Sequence, residues 1–251
     1  MPDLANRSRP ITIAHRSGNN DRWLRMALAA GVDLIECDVW LHRGQIEVRH
    51  ARAIGRLPLL LDRWVPVPWF RRRRLRRMLR ALGPDALVLY DLKGSNAELP
   101  ERLLEALAQE RPDVPAYVCG RNWPVLERIA AAQEAAADPP LMLVHSVGTP
   151  DELAALEQRL ATATTDALPP VRGISIRASL LTPEVVARLR PQLTLIFAWT
   201  VNDPALAQHL LALGVDGIIS DNAALLVSLE HGKRAQGPGQ QATGAVGHDG
   251  R

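Results

Sequence analysis

Residues 33–50, DLIECDVWLHRGQIEVRH, are the stretch from which the rest of the chain is read. Leu34, Ile35, Val39 and Trp40 make the first half β-prone. Glu36 and Asp38 fall two residues apart in it, so both carboxylates leave the same face of one strand. The apolar flanks argue that this face is buried. Ionised carboxylates held that close repel and lose hydration unless a cation neutralises them or one keeps its proton. A hard divalent cation answers that need through oxygen ligands. The turn at residues 42–44 then sends residues 45–50 back and brings the imidazole of His50 close to the carboxylates. So short a turn cannot join parallel neighbours, so any parallel sheet built here is expected to be distorted near its second strand.

Upstream, residues 11–14 are β-prone and end in the polar turn His15-Arg16-Ser17-Gly18-Asn19-Asn20. Residues 21–30 have helical periodicity, with Asn20 as cap and Gly31 at the stop position. Downstream, residues 51–70 are rich in proline and read as an irregular connection. Leu75, Met78, Leu79 and Leu82 then recur at i, i+3, i+4 and i+7 and mark an amphipathic helix. Residues 86–90 are strand-like and lead into Asp91-Leu92-Lys93, which places Asp91 and Lys93 on one face at the strand's carboxyl end.

The alternation then repeats, with strands at residues 116–119, 141–145, 173–176, 195–201 and 217–220 and helices between and after them. Eight strand-plus-connection units within residues 11–234 predict an α/β fold, a (β/α)8 TIM barrel distorted near the second strand. A doubly wound open sheet is the alternative. Residues 1–10 read as an N-terminal arm, and the Gly- and Gln-rich residues 235–251 as a disordered tail.

The 251 residues suit one large domain, and no run approaches the roughly 18 apolar residues of a membrane-spanning helix. The opening MPDLANRSRP lacks the apolar section of a secretory signal, so a cytoplasmic location is expected. Cys37 and Cys119 are too few and too isolated for a disulfide framework or a zinc site and read as buried thiols. The net charge of +3 is small but uneven, since no acidic residue occurs between Arg63 and Pro84. Seven arginines lie between Arg71 and Arg80, beside Trp64, Trp69 and Phe70. A solvated helix face is the plainer reading; peripheral contact with an anionic membrane is the functional one, preferred over nucleic acid because aromatic and basic residues together suit a bilayer interface. His145 reads as structural, and His42, His209 and His248 fall on a turn, a helix and the tail.

In a parallel barrel the carboxyl ends of the strands share one rim, and His15, Asp91, Lys93 and Trp199 all fall there, with Glu36, Asp38 and His50 from the second strand and its return. Three carboxylates, two histidines and a lysine suit phosphate-ester chemistry. Glu36, Asp38 and Asp91 are the expected ligands of one Mg2+ or Ca2+. Arg16 and Lys93 offset charge on the phosphoryl oxygens, His15 and His50 serve as base and acid, and Trp199 forms a wall of the substrate pocket.

These pieces resemble the glycerophosphodiester phosphodiesterases, which show His-Arg-Gly, Glu-x-Asp, His-Asp, Glu-x-Lys, Trp-Thr-Val-Asn and Gly-x-Asp-Gly-Ile-x-x-Asp in that order. Here the counterparts are His15-Arg16-Ser17, Glu36-Cys37-Asp38, His50-Ala51, Asp91-Leu92-Lys93, Trp199-Thr200-Val201-Asn202 and residues 214–221, GVDGIISD. The resemblance spans residues 11–231 and implies the barrel, the divalent metal on Glu36, Asp38 and Asp91, acid–base roles for His15 and His50, and phosphate contacts from Arg16 and Lys93. The expected substrate is a glycerophosphodiester or, from the shortened linker beside the arginine-rich helix, a lysophospholipid. The chain departs from the pattern at Ser17, at Ala51 and at Asp91, where sphingomyelinase D-type enzymes are similar to it. It also lacks the family's first-loop Glu-Asn-Thr and reduces the usual insertion after His50 to a linker. A barrel that kept its ligands but lost turnover, binding a phosphorylated ligand or a membrane, is the competing expectation.

Overall fold

The structure, a computed structural model, describes Leu4 and residues 10–53, 59–62, 65–68, 73–134, 141–162 and 171–235. Most of the expected N-terminal arm, Trp64, Trp69, Phe70, Arg71, Arg72 and the tail beyond residue 235 lie outside the described residues. In chain order the elements are β1 (Ile11–Ala14), α1 (Asp21–Ala30), β2 (Leu34–His42), β3 (Gln45–Val48), β4 (Arg52–Ala53), β5 (Leu59–Asp62), β6 (Val65–Pro68), β7 (Arg73–Arg74) and α2 (Leu75–Arg80). There follow β8 (Leu87–Leu92), α3 (Leu99–Glu110), β9 (Ala116–Gly120), α4 (Trp123–Glu134), β10 (Leu141–Val147), α5 (Pro150–Thr162) and β11 (Gly173–Arg177). The chain then builds α6 (Pro183–Leu189), β12 (Leu195–Trp199), α7 (Pro204–Ala212), β13 (Gly217–Ser220) and α8 (Ala223–Ala235).

The strand order β1-β13-β12-β11-β10-β9-β8-β2 returns to β1, so the parallel sheet closes into an (αβ) barrel and the open doubly wound alternative is excluded. Closure is thin where distortion was expected. β1 and β2 share only the pairs Ile13↔Leu34 and Ala14↔Ile35. The overlap is short because β1 ends at Ala14 while β2 begins at Leu34; further along, the second half of β2, from Val39 to His42, pairs antiparallel with β3, and β3 pairs with β7. The described residues between 51 and 68 are more regular than their prolines suggested, since β4, β5 and β6 form a small antiparallel sheet. Pro66 and Pro68 sit two residues apart on β6, an edge strand, where a missing N–H need not cost a ladder bond.

The alternation of side chains along each strand divides the core. Ile11, Ile13, Leu34, Leu89, Phe197 and Ile219 belong to one buried cluster that fills the barrel, while Ile35, Cys37, Val39, Val88 and Tyr90 pack outward under α1, α2 and α3. α1 begins and stops where the sequence indicates, whereas α2 stops at Arg80, short of Leu82. The Asn20 side chain accepts from the amides of Arg22 and Trp23 at 2.8 and 3.3 Å, and Gly31, at φ 69°, closes α1 through its amide to Leu28. Leu75, Met78 and Leu79 are buried on α2 as their spacing predicts. No helix among the described residues is long and apolar enough to cross a membrane.

Candidate active site

Following the inward parity toward the strands' carboxyl ends, the filling changes from apolar to charged. On β2 it runs Leu34, Glu36, Asp38; on β8, Leu87, Leu89, Asp91, then Lys93; on β1, Ile11, Ile13, then His15. The cleft at this rim has a volume of about 540 Å3, and His15, Arg16, Glu36, His50, Asp91, Lys93 and Trp199 all line it. The structure therefore brings together seven of the eight side chains singled out in the sequence, and Asp38, 1% exposed, lies just beneath them.

The three carboxylates form one cluster. Each of Glu36, Asp38 and Asp91 offers an oxygen within 4.8 Å of the others. Asp38 and Asp91 are direct neighbours in the β2–β8 register. Lys93 Nζ lies 2.8 Å from Asp38 Oδ1 and also contacts Asp91 Oδ2. Burial, with the negative charges of Asp38 and Asp91, pushes the Glu36 carboxyl well up. Burial likewise raises Asp91, against the pull of Lys93. Asp38 is buried too, yet Lys93 and the His50 imidazole hold it well below the usual carboxylate range. Lys93 in turn is held protonated by Asp91, Asp38 and Glu36, which outweigh its own burial. One ammonium is not enough positive charge for three acids. An all-oxygen set with that surplus of negative charge fits a hard divalent cation.

The loop from His15 to Asn20 is clamped onto β2. The Arg16 amide donates to Glu36 Oε2 at 2.5 Å, and Asn19 both donates to Asp38 Oδ2 at 2.6 Å and accepts from the Asp38 amide at 2.9 Å. Gly18 makes the close approach possible, because a Cβ there would meet Cys37 Cβ at 2.5 Å. Arg16 itself has φ 51°, which swings its side chain to the cleft with Nε 3.8 Å from Asp38.

Both histidines have carboxylate neighbours. His15 Nδ1 is 2.8 Å from Asp221 Oδ1, and the Asp221 amide donates to Asn202 Oδ1 at 2.9 Å. The hydrogen bond to His15 holds the Asp221 carboxyl below its usual range. Since an ionised carboxylate only accepts, His15 carries its proton on Nδ1 and leaves Nε2 for proton exchange. His50 Nδ1 lies 3.4 Å from Asp38 Oδ2. The chain on either side of it is fixed by Arg49, 1% exposed, whose Nε donates to Glu47 at 2.7 Å, whose Nη1 donates to the Ala51 carbonyl, and whose guanidinium lies 5.1 Å from the Trp40 ring centroid.

Several residues in the cleft or supporting it were not read from the sequence. Asn19 and Arg49 act through contacts that no spacing encodes. Arg121, Ser146, Ser175 and Arg177 could have been found by carrying the inward parity of β9, β10 and β11 to the rim. Arg121 is clamped by Glu152 at 2.6 Å, while Arg177 stacks 5.5 Å from the Trp199 ring centroid. Asp221 was quoted only as part of a motif; its role as the partner of His15 comes from the closure of β13 on β1. His145, by contrast, points outward to α4 and is structural. Cys37 and Cys119 are free and buried.

Known proteins agree with this architecture. A phosphodiesterase of Oleispira antarctica, solved in complex with the product sn-glycerol-3-phosphate, is 19% identical and superimposes with a TM-score of 0.68 over 90% of this chain and 99% of its own. The glycerophosphodiester phosphodiesterase of Thermotoga maritima is 18% identical, with a TM-score of 0.65 over 89% and 100% of the two chains. At these identities the likeness speaks for the fold alone. No curated protein matches the sequence. Residues 101–225 match the glycerophosphoryl diester phosphodiesterase family, whose members are phosphodiesterases that hydrolyse glycerophosphodiesters. The matched span takes in Trp199 to Asn202 and Gly214 to Asp221, while the carboxylates, His15, His50 and Lys93 precede it. With that match and the barrel in place, the chain is similar to the glycerophosphoryl diester phosphodiesterase family over residues 101–225.

Proposed function

We propose that this chain is a metal-dependent phosphodiesterase that hydrolyses a glycerophosphodiester or a lysophospholipid and releases an alcohol head group, acting in the cytoplasm. The observation that carries the proposal is the convergence in one cleft of two histidines, a three-carboxylate cluster and two cations, Arg16 and Lys93. Glu36, Asp38 and Asp91 would hold a single Mg2+ or Ca2+, which supplies Lewis-acid polarisation of the phosphoryl group. Arg16 and Lys93 orient the substrate by pairing with its phosphoryl oxygens, and Trp199 closes one side.

The reaction then needs two proton transfers. Water attacks phosphorus while one imidazole takes its proton; the bond to the alcohol oxygen breaks while the other imidazole protonates that oxygen. The products are a phosphomonoester and a free alcohol, and the histidines exchange their proton through solvent to begin again. Asp221 fixes the tautomer of His15, and Asp38 faces His50, so each imidazole has a carboxylate neighbour that orients it.

The test is hydrolysis of glycerophosphocholine, lysophosphatidylcholine and a chromogenic bis-phosphodiester by purified protein with Mg2+, Ca2+ or chelator. Turnover of at least one, lost with chelator, is the expected result. Failure of all three with both metals would overturn the proposal.

Peripheral membrane contact is a separable part of it. Arg73 and Arg77 pair with Asp21, and Arg76 and Arg80 with Glu110, so the arginine surface keeps a net positive charge that is smaller than its residue count suggests. Binding to anionic vesicles that weakens with salt would support the contact, and equal binding to neutral vesicles would remove it.

A further inference from the structure

A second cleft, of about 420 Å3, adjoins the catalytic one and shares His15 and Asp221 with it. It runs between α1 and α8, from those two residues at the rim to Ala30 and Val32 at the far end of α1. The ten residues of α1 give it a length of about 15 Å. Ala27 and Leu226 are buried in its floor, whereas Trp23 and Met26 on its wall are 53% and 48% exposed. His15, Ser17, Ser220 and Asp221 gather at the rim end; beyond them the lining side chains are apolar, apart from the indole N–H of Trp23 and the thioether of Met26.

A ligand that follows this surface must change character along its length. At one end it meets the cations and carboxylates of the catalytic cleft, at the join a few hydrogen-bonding groups, and then an apolar groove between α1 and α8. That sequence of surfaces matches a phosphodiester head, a glycerol with its hydroxyl and ester oxygens, and a single hydrocarbon tail. We propose that the α1–α8 cleft holds the acyl chain of a lysophospholipid whose phosphodiester lies against Arg16 and Lys93. The proposal rests on the phosphodiesterase reading above and deepens it: a tail-less glycerophosphodiester leaves the apolar cleft unfilled, and a lysophospholipid covers Trp23 and Met26.

Acyl-chain length is the variable that tests it. Glycerophosphocholine and hexanoyl, octanoyl, decanoyl and dodecanoyl lysophosphatidylcholine, all as monomers, are compared by kcat/KM with the metal-loaded enzyme. Each methylene that leaves water for the cleft should raise kcat/KM by about two- to four-fold, levelling off when the chain reaches Val32. Two variants probe the walls. Trp23→Glu places a favourable acid in the first turn of α1, and Ala223→Trp fills the cleft from an exposed position. Each should lower the ratio of decanoyl substrate to glycerophosphocholine by about ten-fold. Hydrolysis of glycerophosphocholine with no gain from the chain would overturn the tail site and leave the phosphodiesterase reading standing. Self-association abolished by Trp23→Glu, again with no chain-length dependence, would assign the cleft to a second copy and overturn it as well. If no substrate is cleaved, the phosphodiesterase reading falls, and calorimetry with monomeric decylphosphocholine decides the cleft: Trp23→Glu must weaken that binding about ten-fold for the tail site to stand.

Discussion

His145 makes acid stability a direct test of how the barrel is packed. It lies on β10 with no exposed surface, its ring edge-on to Trp123 at 5.6 Å and its Nε2 3.4 Å from Glu127 Oε1. Its Nδ1 is buried with no hydrogen-bond partner among the described residues. Protonation would therefore create a buried N–H with nothing to receive it, in addition to a buried charge near Arg159. Burial first, and the Arg159 guanidinium second, push the imidazole down to about 4 from an ordinary value near 6.5. Between those values the unfolded chain binds a proton that the folded chain refuses. The stability this residue contributes is thus complete above about pH 6.5 and is lost as pH falls toward 4. With those two values, the loss between pH 7 and pH 5 amounts to about 2 kcal/mol. His145→Gln keeps a donor for Glu127 and removes the titration. Urea unfolding across this range should show the parent protein losing about 2 kcal/mol more than the variant, since the other titrating groups are common to both. Parallel pH profiles would mean that the folded protein accepts the proton on His145, and the packing argument would fail.

Asp38→Asn should lower both divalent-cation affinity and turnover, because it leaves Glu36 and Asp91 to carry the charge; unchanged affinity by calorimetry would remove Asp38 from the ligand set. His15→Ala and His50→Ala should each reduce kcat by about 10²-fold or more with the cation still bound, and a collapse of metal affinity in either would make that histidine a ligand instead. Asp221→Asn should reduce kcat in the same direction as His15→Ala while leaving the fold's melting temperature near that of the parent, since Asp221 is exposed and acts through the His15 tautomer. Gly18→Ala should destabilise the protein by about 1–3 kcal/mol in chemical denaturation, because its Cβ would overlap Cys37; a neutral effect would show that the clamp on β2 is loose.

The barrel was legible because its strands are bounded by turn residues and separated by segments of helical period; β1 and β13 fall on the expected residues. The clustered carboxylates were legible for a related reason. Parity along a strand is local information, and Glu36 with Asp38, or Asp91 with Lys93, reveals a shared face without knowledge of the neighbours. What the sequence concealed depends on closure. Asp221 reaches His15 across 206 residues of chain, and Arg73 donates to the Gly18 carbonyl from a strand added at the hairpin's edge. The small sheet of β4, β5 and β6 was concealed differently, because proline density argues against strands in general but not against an edge strand.

The same register that builds the site makes it costly to the fold. Asp38 and Asp91 are paired residues of adjacent parallel strands, where backbones lie about 4.8 Å apart, and both side chains enter the barrel. The short side chain of Asp91 keeps its carboxylate close to the strand, where Lys93, two residues on and on the same face, contacts it. Lys93 therefore neutralises part of the acidic cluster from within while its ammonium remains on the cleft surface. The burial of Glu36 at 4% exposure and the raised affinity of Glu36 and Asp91 for protons show that this internal compensation is incomplete. An added divalent cation would remove the remaining repulsion, so binding energy that appears as metal affinity is in part relief of strain that the β2–β8 pairing imposes.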